Sequence, residues 1–285
     1  MNKSILRRTA AALTMALCGL AITIVAATPA YAAATSREQA TSANNSTATK
    51  SVTAPCPVGK SVLGGGGSIS GGGGNVHFTR LNAVGGGTNG FVAAASENGN
   101  YANNWSITAY AICGTAANLQ YLSAITASNT DNHKDAQRNC PTGSLPLHFG
   151  VQITGSIGDV IIGAFGSTVG WNGSKVSATR APGGSTANWA LTAHVVCADE
   201  DLAGRQMLWG DVVPADSNPK GKTVGCPAGK TLHGGGAVIV SSSGEVLQRA
   251  VTPSSTLGGI TVNFIEDADG AAHNWWVRVY AICAT

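Results

Sequence analysis

Apolar and polar residues alternate with a period of two at three places in this chain. Alternate positions read Trp105, Ile107, Ala109, Ala111, Cys113 at the first and Trp189, Leu191, Ala193, Val195, Cys197 at the second. At the third they read Trp275, Val277, Val279, Ala281, Cys283. The positions between are mixed: Thr108 and Tyr110, Thr192 and His194, Arg278 and Tyr280. This pattern predicts a strand with one buried face. Trp and Cys then share an interior, with each indole N–H on a backbone carbonyl. Gly74-Asn75-Val76, Gly158-Asp159-Val160 and Gly244-Glu245-Val246 predict a turn entering a strand, with Gly supplying the positive φ. Thr88-Asn89-Gly90, Asn172-Gly173-Ser174 and Gly258-Gly259 predict turns before strands at Val92, Val176 and Val262. Residues 120–127 and 205–213 also read as strands, and no amphipathic helix follows residue 34. Five or six short strands per unit make an all-β protein.

The three strands close three copies of one unit. Cys56/Cys113, Cys140/Cys197 and Cys226/Cys283 are each 57 positions apart, and the windows align without a gap. Each opens with Cys-Pro-x-Gly, and each has Asn-Trp eight residues before its second Cys. Eleven of the 58 positions are identical in all three. Lys50, Lys134 and Lys220 extend the match, each six residues before the first Cys. Repetition at this level decides the architecture ahead of local propensity. The equal spacing predicts one disulfide within each copy: Cys56–Cys113, Cys140–Cys197 and Cys226–Cys283. The units span 33–115, 116–199 and 200–285. Their connecting segments are about as long as two strands and a turn, and the gapless core with a strand shared between units favours a β-prism-like pseudo-threefold assembly over three tandem β-sandwiches.

Residues 1–32 read as a secretory signal: Lys3, Arg7 and Arg8, an apolar run to about Ala27, then Ala30-Tyr31-Ala32. An uncleaved anchor is the alternative. Removing the signal's three basic residues from the seventeen leaves fourteen against fourteen acidic, so the mature protein is neutral. Neutrality argues against nucleic-acid and anionic-membrane partners, which need a basic excess. Export places the six remaining cysteines where disulfides persist, and predicts a secreted, extracellular or wall-associated protein.

Cys-Pro-x-Gly-Lys, Leu-Gly-Gly-Gly, Asn-Trp and Tyr-Ala-Ile-Cys together resemble repeats in exported proteins of high-GC Gram-positive bacteria. Those repeats carry no assigned activity, so the resemblance implies export and repetition and transfers no functional residue. Copy two departs from it, with Ser144 for the Lys and His148-Phe149 for Gly-Gly. Vitelline-membrane proteins of the β-prism type are similar in plan only.

Motifs for chemistry are sparse. Gly59-Lys60-Ser61 and Gly229-Lys230-Thr231 lack the earlier Gly of a phosphate-binding loop, with Ala54 and Val224 in its place. The six His residues occupy different offsets and form no zinc-type spacing. Glu266-Asp267-Ala268-Asp269-Gly270 suits a solvated turn better than a calcium loop. No cofactor or metal is expected, and no catalytic set stands out. The repeating Trp105, Trp189 and Trp275 read as core. Trp171, Trp209 and Trp276 do not repeat, and Trp276 has outward parity. These three are the candidate ligand-binding residues. The leading expectation is a non-catalytic module binding neutral polysaccharide or cell-surface glycan, or serving the cell envelope structurally. A secreted hydrolase or enzyme inhibitor acting from copy-specific loops is the alternative.

Overall fold

The computed structural model describes residues 35–199, 202–215, 218–240 and 244–285. The signal segment and its cleavage site lie outside the described residues.

Each repeat supplies six strands. The first has β1 (Ser36–Thr41), β2 (Thr49–Pro55), β3 (Ser61–Ser70), β4 (Val76–Val84), β5 (Gly90–Glu97) and β6 (Ser106–Gly114). The second has β7 (Gln120–Ile125), β8 (His133–Asn139), β9 (Ser144–Gly155), β10 (Val160–Ser167), β11 (Gly173–Arg180) and β12 (Trp189–Asp199). The third has β13 (Gln206–Ala215), β14 (Lys220–Gly225), β15 (Thr231–Val240), β16 (Val246–Pro253), β17 (Gly259–Glu266) and β18 (Trp275–Ala284). Among the described residues the one helical element is a 3-10 turn at Gly73–Asn75.

The strands form three six-stranded antiparallel sheets. Their orders are β1-β6-β3-β16-β17-β14, β2-β5-β4-β9-β12-β7 and β13-β18-β15-β10-β11-β8, hereafter the first, second and third sheets. Every sheet takes three strands from each of two repeats, so tandem independent sandwiches are excluded. The joints are equivalent. Ala250 pairs with Ser68, Arg80 with Gln152 and Ala164 with Val238. Counted from the first Cys, all six are positions 24 and 12 of their repeats.

The disulfides join Cys56 to Cys113, Cys140 to Cys197 and Cys226 to Cys283. In each, the first Cys follows a strand of one sheet and the second lies in a strand of another. The three bonds therefore tie the three sheets together in a ring. Cys-Pro-x-Gly is a tight turn before the long strand. The N–H groups of Lys60, Ser144 and Lys230 bond to the carbonyls of Pro57, Pro141 and Pro227. Gly59, Gly143 and Gly229 take φ of +83°, +80° and +77°, as the third position of a type II turn requires. A turn and a strand thus stand where a phosphate loop would need a helix.

Trp105, Trp189 and Trp275 are fully buried. Over their rings sit the repeated lysines: the Nζ atoms of Lys50, Lys134 and Lys220 lie 4.6, 4.8 and 3.7 Å from the centroids. Lys134 and Lys220 also donate to the carbonyls of Trp189 and Trp275, both at 2.7 Å. The conserved spacing of Lys and Trp within the repeats is thus a buried cation–π pair. The expected indole partner holds for Trp189, which donates to the Asp131 carbonyl at 2.7 Å. It fails for Trp105 and Trp275, which donate to the carboxylates of Glu97 (2.8 Å) and Glu266 (2.9 Å). Copy two has Arg180 at that place, paired with Asp159 at 3.6 Å, so its indole turns to a carbonyl. Glu266 is thereby committed to the core.

The turns before β4 and β10 also differ from expectation. Among the three turn glycines only Gly244 has positive φ; in the other copies that conformation falls on Gly71–Gly73 and Gly155. Before β11 it falls on Gly170 and the non-glycine residue Trp171, and before β17 on the non-glycine residue Leu257.

Candidate functional site: the tryptophan face of the third sheet

Residues directly opposite in an antiparallel pair project to the same side of a sheet. Gly66, Gly150 and Gly236 pair with Tyr110, His194 and Tyr280. Each pair lies on the side of its sheet away from Trp and Cys, so the three sheets present three equivalent faces. Two conform to one plan. In the first, the Tyr110 hydroxyl meets Ser68 Oγ at 3.0 Å, and Arg37 lies 4.6 Å over the ring. In the third, Tyr280 packs against Gly166, where an added methyl group would meet the ring at 2.9 Å.

The third sheet carries the aromatics. On β13, Trp209 stands opposite Tyr280 and Asp211 opposite Arg278. The equivalents of Trp209 are Gln39 and Ser123, so this indole belongs to one copy only. Trp209 is 50% exposed and Trp171 41%. Their ring centroids are 4.9 Å apart at an interplanar angle of 53°. Trp171 belongs to the second repeat and Trp209 to the third, so the pair forms across a joint between copies. Trp171 sits in the turn after β10, where its N–H bonds to the Thr168 carbonyl at 3.1 Å. Its φ is +65°, an uncommon conformation for a bulky side chain. The corresponding residue of the third repeat, Leu257, is buried, whereas Trp171 remains in solvent.

Trp276 shares this face. It lies four residues along β18 from Tyr280, about 13 Å at strand spacing. It is half-buried, and the Arg278 guanidinium lies 5.6 Å over its ring. Arg278 is fixed in turn by two bonds to Asp211, at 2.7 and 2.8 Å. Those bonds hold the Asp211 carboxyl below the usual carboxylate range and push the Arg278 guanidinium above its ordinary value. The three candidate tryptophans therefore occupy one face of one sheet. The exposed pair is Trp171 and Trp209, not the Trp276 that strand parity singled out. Parity shows which way a strand residue points. It does not show that a neighbour two positions along covers it, or that a turn from another copy reaches in.

This surface offers two tilted indole faces, an indole under a guanidinium and a fixed Arg–Asp pair. Such a surface stacks on flat apolar faces and exchanges hydrogen bonds at its rim. Asp211 is the single carboxylate among these residues, and Arg278 keeps it ionised. Among the described residues no cluster of three His, Cys, Asp or Glu side chains is placed to hold a metal ion. Compared with known proteins, the chain matches no family model and no curated sequence.

Proposed function

We propose that the mature protein is a secreted, non-catalytic β-prism-like module that binds neutral polysaccharide or cell-surface glycan on the third sheet. Trp171 and Trp209 stack on sugar rings, and Trp276 with Arg278 and Asp211 extends the contact. The observation that carries this reading is the pair itself: two copy-specific tryptophans, each about half exposed, in ring contact. Single exposed aromatics need no explanation, but a paired patch marks an interaction surface. The neutral mature charge supports an uncharged ligand. Asp211 disfavours the hydrolase alternative on this face, because glycoside hydrolysis uses two carboxyl groups, one of them protonated. Three disulfides suit an oxidising, extracellular environment. No helix among the described residues is long and apolar enough to cross a membrane. The same reading groups the chain with the exported repeat proteins it resembles.

The test is retention on a panel of insoluble polysaccharides. The wild-type protein should be retained on at least one neutral polymer, and a Trp171→Ala/Trp209→Ala variant with unchanged melting temperature should be released. Equal retention of the two proteins refutes the assignment.

A further inference from the structure

The equivalent face of the second sheet departs from the common plan at adjoining positions. Its floor is Gly150, as Gly66 and Gly236 are elsewhere. Around it His194 replaces Tyr110 and Tyr280, Arg80 replaces Ala164 and Ala250, and Asn82 replaces Gly166 and Thr252. His148 stands where Gly64 and Gly234 stand, at the place where the three repeats meet. A methyl group on Gly64 would come within 3.0 Å of both Gly234 Cα and His148 Cβ. The imidazole of His194 is shorter than the Tyr280 ring that packs against Gly166 at the corresponding place in the third sheet. A hollow of about 270 Å³ results, lined by Arg80, Asn82, His148, Gly150, His194 and Tyr121. Residues unique to this face therefore converge on one cavity.

The chemistry of the cavity is one-sided. Arg80 Nε donates to Asn82 Oδ1 at 2.5 Å. The ion pairs of the described residues all lie elsewhere, and no Asp or Glu lines the hollow. His148 Nδ1 faces the Gly235 N–H at 3.4 Å and accepts from it, which leaves the ring proton on Nε2. That Nε2 is buried and has no partner, and His194 Nε2 is in the same condition. Burial, helped by the nearby His194, pushes the His148 pKa down to about 3, and burial, helped by Arg80, pushes that of His194 down to about 4. Both rings are neutral at pH 7, and Arg80 is the one charge of the hollow. A buried donor without an acceptor calls for an explanation, and here it lines the same hollow as a cation without a counter-ion.

We propose that this hollow binds a small carboxylate, its oxygens taking the Arg80 guanidinium and the Nε2–H of His148. The planar guanidinium fork matches a carboxylate. One positive charge balances a monoanion rather than a phosphate dianion. The volume falls just below the roughly 300 Å³ at which pockets for drug-sized ligands begin, so the ligand is small. The site lies on a different sheet from the tryptophan pair and does not depend on the glycan reading.

The experiment is a titration of the isotope-labelled protein with sodium acetate, following the His148 and His194 ring resonances. Sodium chloride, acetamide and phosphate serve as parallel arms. Acetate should give a saturable shift that the other three do not. Arg80→Gln should weaken it by at least about tenfold, as loss of a charged hydrogen bond does. His194→Tyr, which installs the residue of the other two copies and so suits the fold, should abolish it. Trp209→Ala should leave it intact. The proposal is overturned by a response no larger than that to chloride, by acetamide or phosphate matching acetate, or by an undiminished response in either site variant.

Discussion

Replacing Trp189 with Ala removes the largest side chain from the interior of the second repeat. The indole is fully buried, so the cavity alone costs ~3–5 kcal/mol. Lys134 Nζ, 4.8 Å from the ring centroid and itself buried, loses a desolvated cation–π contact of about 1–2 kcal/mol. The Asp131 carbonyl loses its donor, but Asp131 is exposed and water replaces the bond. The sum is roughly 4–7 kcal/mol. At about 2–4 °C per kcal/mol for a chain of this size, the melting temperature should fall by roughly 8–28 °C. Trp189→Phe restores most of the volume and should cost under about 2 kcal/mol. Calorimetry with the disulfides intact measures both. A Trp189→Ala variant within about 1 kcal/mol of wild type refutes the core assignment. So does a variant of unchanged stability that has lost glycan retention, which would make the repeated Asn-Trp a binding site.

Three further outcomes are expected. Cys140→Ser/Cys197→Ser opens a bond with a sequence separation of 57 and should cost ~4 kcal/mol on the chain-entropy model; urea unfolding checks it, and a cost near zero contradicts it. Burial holds His77 and His194 at about 4 and His148 at about 3, so their contribution is complete above the unfolded value of about 6.5 and is lost as pH falls from there toward 3. Stability that rises on acidification through that window, measured in an Asp267→Asn background, contradicts this. Asp267 is the opposite case: partial burial and the nearby Asp269 and Glu245 raise it to about 7, so its stabilisation is full below about 4 and lost as pH rises to 7. Asp267→Asn should raise the melting temperature at pH 8 and leave it unchanged at pH 3, and no gain at pH 8 counts against the argument.

Much of the fold was legible because the chain states it three times. Trp and Cys at period two gave the closing strand and its buried face, and equal Cys spacing gave the disulfides. The sharing of each sheet between repeats was only favoured, because a two-residue joint such as Arg80–Gln152 and Leu81–Val151 leaves no periodic trace. The repeated Lys was visible as a position but not as a partner of Trp. Its role needs β2, β8 or β14 folded beside the closing strand. The site was legible residue by residue and not as a site. Trp171, Trp209 and Trp276 stood out by failing to repeat, yet Trp171 meets Trp209 only through a turn of a different copy. Aligned copies do hold a further signal. Arg80, Asn82, His148 and His194 all break the repeat, and the sheet topology is what gathers them.

The most direct test of the glycan assignment follows the six indole N–H resonances during titration with a soluble oligosaccharide of the retained polymer. The signals of Trp171 and Trp209 should shift together and saturably, with Trp276 following. Those of Trp105, Trp189 and Trp275, bonded to Glu97, Asp131 and Glu266, should stay in place. Shifts confined to the buried three, or none at Trp171 and Trp209 while the polymer is still bound, would contradict the account.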